Sequence, residues 1–584
     1  MPRDTTPSAA ATSPDGRLRV ALGQASRAGP GKANQDFHGA MVPEGAALSL
    51  KGVALAVADG ISSSLHGGEA AEVAVRALMT DYYDTPDAWR ARTAAARVIA
   101  ATNGWLWGRN RALSDIDAGR VCTLSALILK GREAHVLHVG DSRVWRVAGG
   151  TAEPLTADHR VAAGEGESWL ARAMGAAPSV EIDARTLAVT EGDVFALTTD
   201  GVHEVLDGRA IARIVASELD LGAAAGALVA AARAAGSTDD ATVQLVRIEA
   251  LPPEGARIAP EAARLPVPPL PRAGEVLDGF RILRPIAQGA RSHVFLAEGP
   301  DGARAALKIP AAETAADPAY LARFALEDWI ARRVRSDHVV RAADSPAPRT
   351  ALFVATEFVE GATLRQWLDD GPRPDLARVR DIAGQLVAGL RALHRREMIH
   401  QDLRPENVMI DADGRVRIVD LGSVTVAGIE EAAPGTLGDL PGTLQYTAPE
   451  YLSGDVVSWR SDLWSLGAIV YEMLTGRLPY GADVARVTSP RDRMRLRYRP
   501  ARDEATGVPP WVDAALARAL HPDPTRRQDA LSEFLADLTR PGATARAATH
   551  VPLAQRHPVR FWQGVSAALA VLCLTLAARL GGAF

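Results

Sequence analysis

Cysteine is nearly absent from this chain: Cys122 and Cys573 are the only two in 584 residues, and Cys573 sits in an apolar C-terminal run. That excludes a disulfide framework and fits a reducing, cytosolic setting for the bulk of the chain. Positive charge is not in excess either. A net charge of -5 and a pI near 6.3 supply no basic field for nucleic acid, so none is expected as a partner. Met1 to Gly16 contain no apolar run; no signal peptide is expected, and residues 1–16 read as a disordered tail. Lysine is the last scarcity, occurring at Lys32, Lys51, Lys130 and Lys308 while arginine supplies nearly all other positive charge. Where this chain keeps a lysine, the position is a candidate for needing one. What remains is ordinary folded material, 47% hydrophobic and 23% charged, long enough for three or four structural units at about 150 residues each.

One stretch organises the rest: His400-Gln401-Asp402-Leu403-Arg404-Pro405-Glu406-Asn407, followed by a strand-like apolar run that ends at Asp420-Leu421-Gly422. Phosphoryl transfer from a metal nucleotide needs a group to orient the attacking hydroxyl and two to hold Mg²⁺. Asp402, Asn407 and Asp420 are residues of those types in that order.

Residues 17–249 carry a different acidic pattern. Val53–Ala58 is a continuous apolar run, read as a strand buried on both faces, and it ends in Asp59-Gly60. Asp193–Thr199 runs likewise into Asp200-Gly201, Asp239-Asp240 precedes the strand-like Ala241–Val246, and Asp36 follows Asn34-Gln35. Carboxylates at several strand ends converge on one rim of a sheet core, an oxygen-rich set suited to Mg²⁺ or Mn²⁺. Two such ions can activate a water for in-line attack on phosphorus.

Asn34-Gln35-Asp36, Val57-Ala58-Asp59-Gly60, Gly140-Asp141-Ser142-Arg143, Thr199-Asp200-Gly201 and Asp239-Asp240-Ala241-Thr242, in this order, resemble the PPM/PP2C family of metal-dependent Ser/Thr phosphatases. The resemblance implies that Asp36, Asp59, the Gly60 carbonyl, Asp200 and Asp239 hold two Mn²⁺ or Mg²⁺ ions, with Asp141 serving a third. Three departures stand out. Gly31 occupies the position of the family's phosphate-gripping Arg, leaving Lys32 as either its replacement or a solvated loop charge. Ile61–His66 replaces the usual Gly-rich stretch after Asp59-Gly60, and Asp240 stands where the family has Asn. His66 and His159 read as surface or packing histidines, with proton donation to the leaving alkoxide as the sharper alternative.

Residues 250–276 read as a Pro-rich linker, a semi-rigid polyproline spacer outside any core. Residues 277–540 then resemble the eukaryotic-type (Hanks-type) Ser/Thr protein kinases, bacterial-like. Ala305-Ala306-Leu307-Lys308 looks like the strand whose Lys grips the nucleotide phosphates, and Glu327 stands in a helix-period segment in position to pair with it. By the same resemblance Ala287, Gly289 and Val294 cover the nucleotide, Glu357 and Phe358 form the adenine hinge, Asp402 is the catalytic base, and Asn407 and Asp420 are Mg²⁺ ligands. Thr443 to Glu450 would end the activation segment, Arg527 would pair with Glu450, and Asp462 would be a structural pin. Only the middle glycine of the phosphate loop survives, as Gly289, which restricts how closely that loop approaches ATP. Arg404 replaces the catalytic-loop Lys and keeps its charge.

Phe561 to Ala578 carry no charge, about 27 Å as a helix, so a single-pass C-terminal anchor over 561–580 is expected after a linker at 541–560, with the catalytic domains cytoplasmic. The expected fold class is α+β: a PP2C-like β-sandwich flanked by helices, a bilobal kinase fold, then that transmembrane helix. The expected function is a bifunctional, membrane-anchored enzyme using ATP and Mg²⁺ in one half and two Mn²⁺ or Mg²⁺ in the other, acting on Ser/Thr of proteins, on itself or on a shared partner. The alternative is a signalling scaffold with one or both domains degenerate. Gln401 replaces the Arg that in this family reads a phosphorylated activation segment. Replacing every Ser and Thr from Ser423 to Thr436 by Ala should therefore leave kinase activity within a few-fold of the parent, and a large loss in a peptide phosphorylation assay would refute this.

Overall fold

The computed structural model describes residues 17–540 apart from 62–63, 112, 114–118, 165–166, 254–259, 346, 433–444, 456 and 503–506, together with 562–563 and 565–571. The expected tail at 1–16, the linker at 541–560 and part of the activation segment, Thr443 included, lie outside the described residues.

The N-terminal domain is a sandwich of two five-stranded antiparallel sheets. One has the strand order Arg19–Arg27, Ala241–Ala250, Val194–Thr198, Arg143–Ala148, Thr151–Pro154; the other runs Asp183–Ala188, Glu133–Val139, Leu124–Lys130, Val53–Asp59, Asp36–Met41. The continuous apolar run Val53–Ala58 has a simple physical origin. Alternate side chains of a strand face opposite ways, and here both ways are dry. Val53, Leu55 and Val57 meet Leu127, Leu129, Phe195 and Val246 between the sheets, while Ala54, Ala56 and Ala58 lie under helices Gly67–Asp84 and Ala91–Asn110. Small alanines let those helices sit close. The outer face of the other sheet is covered by helices Gly208–Ser217 and Leu221–Ala234, and a Cβ at Gly23 would fall 2.0 Å from the Leu221 carbonyl carbon, so that strand and helix touch backbone to backbone.

The C-terminal domain has two lobes. Five antiparallel strands in the order Val276–Leu277, Phe280–Gln288, Ser292–Glu298, Arg304–Pro310, Val354–Glu357 form the small lobe with helix Pro318–Arg333. The large lobe is helical. Its core joins helices Leu376–His394, Trp459–Thr475, Pro510–Ala519 and Leu531–Thr539 around Trp464, which stacks on Tyr480. Two buried anchors bind its loops. Asp462, fully buried, accepts from the backbone N–H of His400 and Gln401 and sits 2.7 Å from His394 Nε2. Arg527 makes a bidentate pair with Glu450 at 2.7 and 2.8 Å, both side chains buried.

The linker is not a bare spacer. Leu265 and Val267 pack against Phe324 and Ala325 of the small lobe, and the Pro266 carbonyl accepts from Leu352 N–H at 2.9 Å. Prolines hold the strand extended, and the apolar residues between them find a helix face to cover.

The expected transmembrane helix is not found: among the described residues no helix is long and apolar enough to cross a membrane. Continuous helix in that stretch covers 565–571, about 10 Å of rise against a hydrocarbon core of about 30 Å, and residues 572–580 lie outside the described residues. Gln563, Ser566 and Thr575 dilute the apolar run, and the sequence already set them against the membrane reading. The membrane partner and membrane location inferred from that helix fall with it.

The buried Arg527–Glu450 pair yields a stability prediction. Arg527→Met leaves a carboxylate buried without its cation, which costs about 3–5 kcal/mol, whereas Arg527→Met with Glu450→Leu recovers most of that loss. Scanning calorimetry of the large-lobe transition checks both; equal midpoints for parent and single variant would refute it.

Candidate active sites

The acidic residues of the sandwich gather because of sheet register. Asp36 opens one strand and Asp59 closes its neighbour, and the antiparallel pairing sets them directly opposite. Asp200 begins the short helix after Val194–Thr198, and Asp239 and Asp240 precede Ala241–Ala250, which pairs with that strand. Asp141 lies in the turn between Glu133–Val139 and Arg143–Ala148. Asp36, Asp59, Asp141, Asp200 and Asp239 thus stand at one rim. Gly60 is beside them: a Cβ there would lie 2.2 Å from the Gly67 carbonyl carbon, so glycine lets helix Gly67–Asp84 start against the strand end that carries Asp59.

The charges at this rim oppose one another. Burial, reinforced by neighbouring aspartates, pushes Asp36 up to about 7 and Asp200 up to about 6, and Asp59 is raised well above the ordinary carboxylate range by burial and by Asp36, Asp200, Asp141 and Asp239. Asp36 Oδ1 and Asp200 Oδ1 are buried without a hydrogen-bond partner. Oxygen-only donors with uncompensated charge suit a hard divalent cation. No three of these aspartates, however, bring ligand atoms within 4.8 Å of one another; among the described residues only Glu133, His135 and Glu431 do so. The ring is wider than a single-ion site.

Two cations already lean on the rim. Lys32 Nζ donates to Asp239 Oδ1. Arg160 donates through Nε to Asp141 Oδ2 at 2.6 Å, through Nη1 to Glu204 at 2.8 Å and through Nη2 to Asp200 Oδ2 at 3.1 Å. Sequence reading missed Arg160, whose partners Asp141, Asp200 and Glu204 lie 19, 40 and 44 residues away. Thr199 was missed too: its hydroxyl donates to Asp36 Oδ2 at 2.8 Å and accepts from Thr242 N–H. Asp240 turns out to face the loop, where its two oxygens accept from Gly29 N–H and Gln35 N–H at 2.6 and 2.7 Å. His159 is held by Gly140 N–H and Asp183, while His66 lies at the surface beside Glu69.

In the cleft of the bilobal domain, Lys308 Nζ is 2.9 Å from Glu327 Oε2 and 2.8 Å from Asp420 Oδ1. Burial works against the ammonium, but the two carboxylates outweigh it and raise its pKa. Burial pushes Glu327 up to about 6. Asn407 Nδ2 donates to the Asp402 backbone oxygen and to its Oδ2 at 2.8 and 3.0 Å, and Arg404 Nε stands 3.6 Å from Asp402 Oδ2. Burial pushes Asp402 up to about 6, with Arg404 pulling the other way. Asp420 has φ 63°, a left-handed backbone that turns its carboxylate toward Lys308. Ala287 pairs with Val294 across the first hairpin, Val294 pairs with Lys308 across the next strand, and Gly289 N–H closes the turn onto Ser292 O. At the expected hinge the N–H groups of Glu357 and Phe358 are engaged by Arg341 O and Arg304 O.

Comparison with known proteins follows this division. Residues 280–538 match the protein kinase domain family and residues 24–230 the protein phosphatase 2C family. The serine/threonine-protein kinase PknA of Corynebacterium glutamicum is 37% identical over 213 residues, 35% of this chain and 44% of that protein. PknL of Mycobacterium bovis is 33% identical over 262 residues, 44% of this chain and 64% of that protein. This chain therefore spans about half to two thirds of the length of these relatives. A solved serine/threonine phosphatase of S. agalactiae is 24% identical, covers 40% of this chain and all of its own, and superposes with a TM-score of 0.35. The chain joins a domain of the protein phosphatase 2C family to a bacterial-type Ser/Thr protein kinase domain.

Proposed function

We propose that this chain both phosphorylates Ser/Thr of proteins with ATP and hydrolyses phosphoSer and phosphoThr, itself included among its substrates. The observation that carries the reading is the made Lys308–Glu327 pair beside a complete Asp402, Asn407 and Asp420 set. In the kinase site Lys308 positions the α/β-phosphates, Asp402 accepts the hydroxyl proton at its carboxylate, and Asn407 fixes that carboxylate. Arg404 keeps positive charge near the transferring group. Asn407 and Asp420 would hold Mg²⁺, which neutralises charge on the phosphates.

In the sandwich Asp36, Asp59, Asp200, Asp239 and the Gly60 carbonyl would hold two Mn²⁺ or Mg²⁺, and Asp141 a third; such ions supply an activated water. The width of the ring suits ligands shared over more than one ion. Lys32 and Arg160 now neutralise aspartates, and ions on those aspartates would free both cations to face the substrate phosphate. Lys32 thereby takes the place left by Gly31.

The experiment is phosphate content by intact mass after incubation with ATP and Mn²⁺. Phosphate should accumulate in Asp59→Asn and vanish in Asp59→Asn/Asp402→Asn; no phosphate in any form, and none on added protein substrates, would favour a scaffold. Phosphatase rate on p-nitrophenyl phosphate should fall on the order of a hundredfold in Asp59→Asn and on chelation, while Lys32→Met should raise KM several-fold. The pH dependence follows from Asp402. The base works only ionised, and with its pKa near 6 it is about nine-tenths ionised at pH 7 and about one-tenth at pH 5. Kinase kcat should therefore fall about tenfold per unit below pH 6, and Arg404→Ala should move that limb upward. An acid limb unmoved by Arg404→Ala would refute the assignment.

A further inference from the structure

The seam between the two domains is used by neither active site, yet it is built in detail. Residues 85–93, from the end of helix Gly67–Asp84 into helix Ala91–Asn110, reach three parts of the kinase domain. On the helix that carries Glu327, Arg333 pairs with Asp87 at 3.3 Å. On the segment that follows Asp420-Leu421-Gly422, Gly428 N–H donates to Ala88 O at 2.8 Å and Ala91 N–H donates to Glu431 Oε2 at 2.7 Å. Arg90 N–H and Thr93 Oγ1 donate to the two oxygens of Glu397, and Trp89 Nε1 donates to Arg395 O. A Cβ at Gly428 would lie 2.6 Å from the Trp89 carbonyl oxygen, so the two backbones meet where only glycine fits. Leu50 and Ala88 complete one buried cluster with Ile330, Val334, Val424 and Ile429.

Charge fixes the seam further. Lys130, with no exposed surface, donates to Glu431 Oε2 at 3.0 Å, and Glu431 is itself nearly buried. Lys51 braces the docking loop by donating to Thr85 O, Thr85 Oγ1 and Pro86 O. His135 Nε2 is 3.6 Å from Glu431 Oε1 and 3.8 Å from Glu133 Oε2. With the Lys130 ammonium already there, this cluster is an ion-paired contact and not a cation site.

We propose that this face of the phosphatase domain is a docking surface for the kinase domain of the same chain, and that it holds helix Pro318–Arg333 and the start of the activation segment where Lys308 reaches Glu327. These are the two kinase elements whose placement decides activity. In related kinases a phosphate on the segment does this work through an Arg; here Gln401 Nε2 makes a neutral bond to Thr425 Oγ1 at 2.9 Å. The seam supplies the missing anchor, so Lys130 is a positioning residue for a reaction in the other domain.

The inference rests on the kinase reading, and its test separates the two. In the full chain carrying Asp59→Asn, casein phosphorylation is compared with and without Lys130→Ala and Asp87→Ala, alongside deuterium exchange over residues 424–432. Lys130→Ala should lower kcat at least tenfold and speed exchange there. Lys130→Arg, which keeps a cation for Glu431 and leaves Glu431 to accept from Ala91 N–H, should recover both, while p-nitrophenyl phosphate hydrolysis by the Asp59-intact chain stays at the parent level. An unchanged or raised kinase rate overturns the proposal. If the parent transfers no phosphate, the kinase reading fails, and exchange then decides: unchanged exchange in Lys130→Ala overturns the docking role as well.

Discussion

Carboxylates brought together out of water must find cations, and much of this molecule is arranged around that need. Like charges in a low-dielectric setting raise one another's pKa and cost stability unless a positive group is near. The four lysines show how it is met. Lys308 answers Glu327 and Asp420, Lys130 answers Glu431, Lys32 answers Asp239, and Lys51 fills a pocket of carbonyl oxygens beneath the docking loop. At Lys51 and Lys308 a compact ammonium with three rotatable donors meets several acceptors at once, in a chain that otherwise uses arginine.

The aspartate rim is the same problem with less compensation on hand. Lys32 and Arg160 touch some of its oxygens, but Asp36 Oδ1 and Asp200 Oδ1 remain without partners. That residual imbalance is stable only because strand pairing, Thr199 and Thr242 hold the backbone that presents it. The alanine and valine layers beneath the rim supply apolar burial that offsets the cost of gathering these carboxylates.

Local chemistry was legible in the sequence where it is written in short segments. The apolar runs before Asp59 and Asp200 are the strands that their periodicity predicts, because strand formation is a local decision, whereas Lys308 was placed by resemblance and not by spacing. Arg160 was not legible, since its partners Asp141, Asp200 and Glu204 are distant in sequence and no pattern links them. Asp240 was read as added negative charge near the site, and its charge does raise the pKa of Asp36, on top of burial, and of Lys32, against burial, but its bonds to Gly29 N–H and Gln35 N–H were not legible. The C-terminal run was read as a membrane span from its length, its lack of charge and its flanking arginines, against the polar Gln563, Ser566 and Thr575, and among the described residues no helix is long and apolar enough to cross. The linker hid its packing because prolines advertise stiffness and say nothing of which face Leu265 and Val267 will find.

The seam explains why fusion of these two domains is more than proximity. A flexible tether raises the encounter rate between domains but fixes no orientation; here a glycine contact, a buried ion pair and an apolar cluster fix one. Because Asp87 touches the helix of Glu327 while Ala88 and Ala91 touch the segment after Asp420, a single loop spans both moving parts of the kinase. Any motion that opens Lys308–Glu327 must then strain the sandwich contacts too. The phosphatase fold thereby becomes part of the kinase's energy landscape, whatever its own catalysis contributes.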